Sequence, residues 1–354
     1  MTYKSEIKLT SNQIKKIFKD VIPNESIISV NEIKESFTNP VFDVGMSSDE
    51  HFILKINNPT WPLKQSREVT TIQLAQSKTS IPLPKIIAND TTKKHIKYDF
   101  LILEKRPGIQ LRNCLDNKIL TSRDFLSIIE KLGEYLGELH SITFDFYGDI
   151  TVGKNSSSII ENNSPFWGRR FVTWKEAFAN LCNDSLQWVD NKSFPQYRKT
   201  MLILIDYFLK SISEPEKGVL VHSDLQPTNI LIHNTAISAL LDFEWSYSGS
   251  ASFDFALTKA GLFFSTFPSL EKHIITKFFP DLQLSEIDDI FTKGYQRKTV
   301  HLISPEVPDL ITFIWLLYMI GSWSWIVKTS RIDEIQQFER DIANTFSYLN
   351  ERYL

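Results

Sequence analysis

The sequence predicts an α+β chain, with a small antiparallel sheet followed by a large, mostly helical region. Three observations predict it. Short runs of β-branched and aromatic residues crowd the first 104 residues. Apolar residues then recur at helical spacing through most of the remainder. Between the two textures, Arg106-Pro107-Gly108 marks a turn and a hinge. The chain therefore divides into an N-terminal part, 1–104, and a C-terminal part, 105–354.

Each element has its own signal. Ile14, Ile17, Phe18, Val21 and Ile22 fall on one helical face, and Thr10 with Gln13 forms a capping box before them. Ile27 to Ile33, Val41 to Gly45 and His51 to Ile56 read as strands, with a hairpin turn at Met46 to Glu50. A helix over Gln65 to Gln76 ends before the prolines of Ile81-Pro82-Leu83-Pro84, because proline lacks the amide a helix needs. A strand pair follows, finishing at Tyr98 to Glu104. Beyond the hinge, three helical stripes run from Phe125 to Leu139, Trp174 to Leu181 and Met201 to Ile212. Gly218 to Phe243 returns to short apolar strands before helical texture resumes. The polar run Lys154 to Ser164 reads as a surface loop.

Composition excludes several classes. The formal charge of -3 argues against a nucleic-acid partner or attraction to an acidic membrane surface. Two cysteines, Cys114 and Cys182, cannot build a disulfide scaffold or a cysteine-only zinc site. No G-x-G-x-x-G and no G-x-x-x-x-G-K-[ST] occurs, so the usual dinucleotide and P-loop fingerprints are absent. The residues after Met1 lack the apolar run of a secretory leader. Leu310 to Val327 is long enough to span a bilayer, but Gly321, Ser322 and Ser324 interrupt it, and a buried core helix is the expectation.

The chemistry lies in Val221-His222-Ser223-Asp224-Leu225-Gln226-Pro227-Thr228-Asn229 and in Leu241-Asp242-Phe243-Glu244. Alone, Asp224 and Asn229 would cap a turn and Asp242 would end a strand. Together they give an Asp, an Asn five residues later, and a second Asp thirteen residues beyond that. Phosphoryl transfer needs such a set, since its catalysis is mostly positioning and charge neutralisation. One carboxylate must lie by the attacking hydroxyl. An amide oxygen and a second carboxylate must hold Mg²⁺, which prefers hard oxygen ligands beside nucleotide phosphates.

These segments resemble the aminoglycoside phosphotransferase and choline kinase-like enzymes, small-molecule relatives of protein kinases. That family's stretch is His-Gly-Asp-Leu, then Asn, then Ile-Asp-Trp-Glu or a close variant. Here it reads His222-Ser223-Asp224-Leu225, Asn229 and Leu241-Asp242-Phe243-Glu244. Gly249-Ser250-Ala251-Ser252-Phe253-Asp254-Phe255-Ala256, Leu139-His140, Ile81-Pro82-Leu83-Pro84, and Leu103-Glu104 with Pro107-Gly108 extend the likeness across residues 36–256. The last hundred residues carry no marker that aligns. His-Ser-Asp and Asp-Phe-Glu, with no Ala-Pro-Glu after them, set the chain apart from protein kinases.

The resemblance implies a protein-kinase-like two-lobe fold, with nucleotide bound by the first lobe and the acceptor by the second. It implies Asp224 as catalytic base or hydroxyl-orienting group, His222 as a shaper of the catalytic loop, and Asn229 and Asp242 as Mg²⁺ ligands. Lys55, closing Phe52-Ile53-Leu54-Lys55, would contact the α- and β-phosphates, and Glu68 would pair with it. Asn39 and Glu104 would complete the nucleotide site. Two departures stand out: the loop Glu35-Ser36-Phe37-Thr38-Asn39 has no glycine, and Ser223 replaces one.

The expected activity is transfer of the γ-phosphate of ATP or GTP to a hydroxyl of a small molecule, first an aminoglycoside-type antibiotic. The alternatives are a metabolic kinase for choline, a sugar or an amino alcohol, and a non-catalytic nucleotide-binding module. Trp245 to Leu354 carries 13 acidic against 10 basic residues, a difference of -3 that suits a cationic acceptor, and Trp315, Trp323 and Trp325 offer stacking surfaces. At helical spacing such tryptophans are more often core. The need for nucleotide and the absence of a leader place the expected activity in the cytoplasm.

Overall fold

Local pattern alone accounts for most elements of the structure. A computed structural model describes residues 7–34, 36, 39–151, 168–188, 194–215, 217–262, 278–300, 309–329 and 332–353. The chain folds as two compact units. The first joins Met1–Gln110 to Ile230–Trp245, and the second joins Leu111–Asn229 to Ser246–Leu354.

The first unit opens with helix α1 (Ser11–Val21), whose Thr10–Gln13 capping box forms as expected. It buries Ile14, Ile17 and Phe18 against one face of a five-stranded antiparallel sheet. Its strands are β1 (Ile27–Glu32), β2 (Val41–Met46), β3 (His51–Ile56), β4 (Ile86–Asp90) and β5 (Phe100–Glu104), ordered β1-β2-β3-β5-β4. Along β3 burial alternates, so Phe52, Leu54 and Ile56 join the α1 core. The period of two puts Ile53 and Lys55 on the opposite face. Helix α2 (Lys64–Lys78) buries Val69, Ile72 and Ala75. It also packs on the turn Phe243–Trp245, which completes this unit from far along the chain.

A three-stranded sheet ties that distant segment in. Here β6 (Ile109–Gln110) pairs with β11 (Ile230–His233), which pairs with β12 (Ala236–Leu240). Asn234 and Thr235 both take positive φ, the geometry that twists a tight hairpin correctly. Gly108, at φ +122, is required where it stands, since a Cβ there would lie 2.6 Å from the Ile232 carbonyl oxygen.

The second unit is helical around a small sheet of β7 (Thr143–Phe144), β8 (Tyr147–Gly148), β9 (Arg170–Phe171), β10 (Gly218–Val221) and β13 (Tyr247–Gly249). Its helices are α3 (Leu111–Asp116), α4 (Ser122–His140), α5 (Trp174–Trp188), α6 (Arg198–Ser211), α7 (Ala251–Gly261), α8 (Leu284–Gln296), α9 (Leu310–Thr329) and α10 (Ile332–Tyr353). The apolar stretch from Leu310 is a core helix: Phe313, Leu316, Met319 and Ile320 are buried, and α9 packs on α5, α7 and α10. Among the described residues no helix is long and apolar enough to cross a membrane. Cys114 and Cys182 are buried, and neither takes part in a disulfide. Lys154 to Ser164 lies outside the described residues.

Candidate active site

In the first unit the face of β3 opposite the α1 core presents Lys55 to three carboxylates. Its Nζ stands 2.8 Å from Glu68 Oε2, 2.7 Å from Asp242 Oδ1 and 2.9 Å from Glu244 Oε2. The α2 helix supplies Glu68. The segment after β12 supplies Asp242, whose φ of +65 is a left-handed conformation that Asp tolerates better than most residues. Glu68 and Glu244 are buried, whereas Asp242 keeps 35% of its side chain exposed and is the open member of the set.

Charge governs this cluster. Burial alone would lower the Lys55 pKa, but Asp242, Glu244 and Glu68 overcome it and hold the ammonium well above its usual range. Burial pushes Glu68 up to about 7 despite Lys55 beside it. Burial would also raise Glu244, yet Lys55 and Lys64 together hold it well below the usual carboxylate range. Lys64, wholly buried at the start of α2, donates to Glu244 Oε1 at 2.5 Å. Asn39 Nδ2 donates to Glu244 Oε2 at 2.8 Å, while its Oδ1 accepts the Asn58 amide at 3.0 Å. Asn39 therefore meets the cluster through Glu244. Glu104, at the end of β5, accepts the Lys85 amide at 3.2 Å and lies 3.4 Å from Arg106. Glu35, Phe37 and Thr38 of the expected nucleotide loop lie outside the described residues.

In the second unit β10 delivers the chain into the loop that carries His222, Asp224 and Asn229. The backbone N–H groups of His222 and Ser223 donate to the two oxygens of Asp254, at 2.9 and 2.8 Å. Ser223 takes φ +62, the conformation a glycine would adopt freely. His222 is buried and accepts the Asp224 amide at Nδ1, 3.3 Å away. Gln226 donates to Asp224 Oδ1. Asn229 Nδ2 donates to the Asp224 carbonyl at 2.8 Å and to Asp224 Oδ2 at 3.1 Å. That commitment leaves its amide oxygen as the atom suited to a hard cation.

The donor chemistry fits Mg²⁺. Among the described residues Glu68, Asp242 and Glu244 can each offer one carboxylate oxygen, all within 4.8 Å of one another. Lys64 and Lys55 already engage Glu244, and Lys55 engages Glu68. Lys55 also engages Asp242, but Asp242 alone of the three keeps a substantial part of its side chain exposed, which makes it the member most open to a metal.

Four residues of these networks carry no role in the sequence reading: Lys64, Gln226, Glu244 and Asp254. The last three lie in quoted motif segments, and that is the signal that could have found them. Trp315 and Trp323 pack against the helical core, with Trp323 edge-on to Phe194 at 4.9 Å. The Trp325 side chain lies outside the described residues.

A sequence profile described as the phosphotransferase enzyme family matches residues 29–278. No curated protein matches the sequence significantly. Among solved structures, a candidate aminoglycoside phosphotransferase from Ralstonia eutropha JMP134 superposes with a TM-score of 0.65 at 14% identity, covering 97% of this chain and 99% of that one. A thermostable mutant of aminoglycoside phosphotransferase APH(4)-Ia, in ternary complex with ADP and hygromycin B, gives 0.60 at 12% identity, covering 95% and 98%. A candidate fructosamine-3-kinase from Haemophilus somnus 129PT gives 0.60 at 16% identity, covering 94% and 96%. Likenesses of this extent establish the kinase-like two-lobe α+β fold. The chain belongs to the phosphotransferase enzyme family, and it is a phosphotransferase with an alcohol group as acceptor.

Proposed function

We propose that this enzyme moves the γ-phosphate of ATP or GTP to a hydroxyl of an aminoglycoside-type antibiotic. The observation that carries the reading is the shared position of Lys55, 2.8 Å from Glu68 and 2.7 Å from Asp242. A strand lysine held by a helix glutamate and by a half-exposed aspartate is the apparatus that receives nucleotide phosphates in kinase-like enzymes. In this reading Lys55 contacts the α- and β-phosphates and Glu68 steers it. Asp224 accepts the proton of the acceptor hydroxyl, and His222 holds the Asp224 backbone. Asn39 acts through Glu244, and Glu104 lines the nucleotide end of β5. Asn229 and Asp242 would hold Mg²⁺, which neutralises charge on the transferring phosphate. The reaction would run in the cytoplasm, where nucleotide is plentiful.

The choice of acceptor draws on the hygromycin B bound to one structural relative. The fructosamine kinase relative supports a second reading, a metabolic kinase for a sugar, choline or an amino alcohol. Nucleoside-diphosphate release from ATP and from GTP tests both, with Mg²⁺ and pooled aminoglycosides, sugars or amino alcohols, and Asp224→Asn as the blank. Release above the blank with the aminoglycoside pool alone is expected. Release with sugars or amino alcohols instead would overturn the antibiotic reading. Nucleotide binding without release from any pool would favour the non-catalytic module.

A further inference from the structure

Lys64 is costly where it stands. It is the first residue of α2, at the positive end of the helix dipole, where a cation is disfavoured. Its side chain has no exposure at all, and removing an ammonium from water is expensive unless charge and hydrogen bonding compensate. The structure supplies both. Its Nζ lies 2.5 Å from Glu244 Oε1 and 4.0 Å from the centroid of the Trp245 ring. Trp61, edge-on to Trp245 at 5.8 Å, stands beside the ammonium at 5.5 Å.

The arrangement has an electrostatic purpose. Glu244 Oε1 is occupied by Lys64, and Oε2 by Asn39 and Lys55. The whole set counts three carboxylates, on Glu68, Asp242 and Glu244, against two ammonium groups, on Lys55 and Lys64. Without Lys64, Lys55 would be the sole ammonium facing all three carboxylates, with Glu244 a direct competitor for it. A polyanionic nucleotide would then meet a more negative surface and a more tightly held lysine.

We propose that Lys64 is a positioning residue of the nucleotide site, neutralising Glu244 so that Lys55 can exchange carboxylates for phosphate. The proposal rests on the reading that Lys55 meets nucleotide phosphates. It differs from a packing role because it acts through charge on Glu244. Removing Glu244's charge as well must therefore undo the effect of losing Lys64.

The test is calorimetric titration of the full chain with ADP, with and without Mg²⁺, and needs no turnover. Lys64→Met is expected to weaken ADP about tenfold or more, the scale of one charge-assisted contact. Lys64→Met/Glu244→Gln is expected to return to within about threefold of wild type. If Lys64→Met fails to fold, the double variant decides alone, since affinity near wild type supports the proposal and a tenfold loss overturns it. Unchanged affinity in a folded Lys64→Met also overturns it. Lys55→Met separates the two levels. If it weakens ADP while Lys64→Met does not, only the Lys64 proposal fails; if it binds ADP as wild type does, the reading of the site fails with it.

Discussion

The Nε2 of His140 lies 3.1 Å from the Asp254 carboxylate that also receives the backbone N–H groups of His222 and Ser223. With the ring proton directed at Asp254, His140 Nδ1 accepts from the Tyr295 hydroxyl at 2.7 Å. Burial pushes the Tyr295 pKa upward, so the phenol remains a donor. A relay from α8 through α4 to α7 thus fixes the backbone immediately before Asp224. All three side chains are buried, and polar groups so placed are costly to disturb.

Asp254→Asn should therefore lower kcat more than it raises KM for nucleotide. Replacing one acceptor oxygen with an NH₂ turns a donor–acceptor contact into a donor–donor clash. Loss of a hydrogen bond to a charged group, about 1.5–3 kcal/mol, corresponds to a fall of roughly ten- to a hundredfold. Steady-state kinetics with the preferred acceptor would check it. A rise in KM with kcat intact would contradict the positioning role.

Ser223→Gly should stabilise the protein. A left-handed conformation costs an L-residue about 1 kcal/mol, part of which returns as the greater freedom of an unfolded glycine. The net gain expected is about 0.5 kcal/mol, a rise in Tm on the order of 1–2 °C. The Ser223 amide keeps its bond to Asp254 in the variant, so activity should persist. Differential scanning fluorimetry reads the shift.

Gly294→Ala should destabilise the second unit. Helices α4 and α8 approach so closely that a Cβ on Gly294 would collide with the Glu130 carbonyl oxygen. It would also sit 3.3 Å from the Glu134 amide nitrogen. Gly133 faces the Phe291 carbonyl in the same way. Backbone cannot move aside as a flexible side chain can, so a loss of about 1–3 kcal/mol is expected. A lower urea midpoint with the slope unchanged would show it.

In metal-free buffer the carboxylate cluster should make stability fall as pH rises from about 5 to 7. Glu68, with an ordinary value of 4.5, is pushed to about 7 in the fold. Through that window the folded protein retains a proton that the unfolded chain has released, so rising pH favours unfolding. Glu244 is shifted the opposite way, and its contribution is lost only in stronger acid. Glu68→Gln should remove the slope. Melting wild type and variant in parallel across pH 5 to 7 tests this, and a difference that stays constant would refute it.

Most of the scaffold was legible because its causes are local. The Thr10–Gln13 box and the stripe after it need only eleven residues of helix to be recognised. The β3 alternation that puts Lys55 opposite Leu54 is visible in six. Asp242 was legible from its spacing after Asp224 and Asn229, and Lys55 and Glu68 from their likeness to the strand lysine and helix glutamate of kinases; the structure brings Lys55, Glu68 and Asp242 together. Lys64 was not legible. On a helix's first turn a lysine reads as solvated, and its partner Glu244 comes 180 residues later. Burial of that kind is decided by long-range packing, which no local period encodes. Asp254 was hidden for a similar reason, since its bonds to His222 and Ser223 bridge 32 and 31 residues.

The first unit is discontinuous, and this bears on how the protein is made. Met1–Gln110 leaves the ribosome well before Ile230–Trp245, yet the two segments form one body. Until residue 245 is translated, β6 lacks β11, and Lys55 and Lys64 lack Asp242 and Glu244. Lys64, destined for full burial, must wait in water for its counter-charge on Glu244, because an unpaired ammonium is too costly to bury. Although domains generally fold in order from the N-terminus during synthesis, the N-terminal unit here cannot close first. The intervening Leu111–Asn229 must be accommodated on the nascent chain before Lys55 and Lys64 are locked in place.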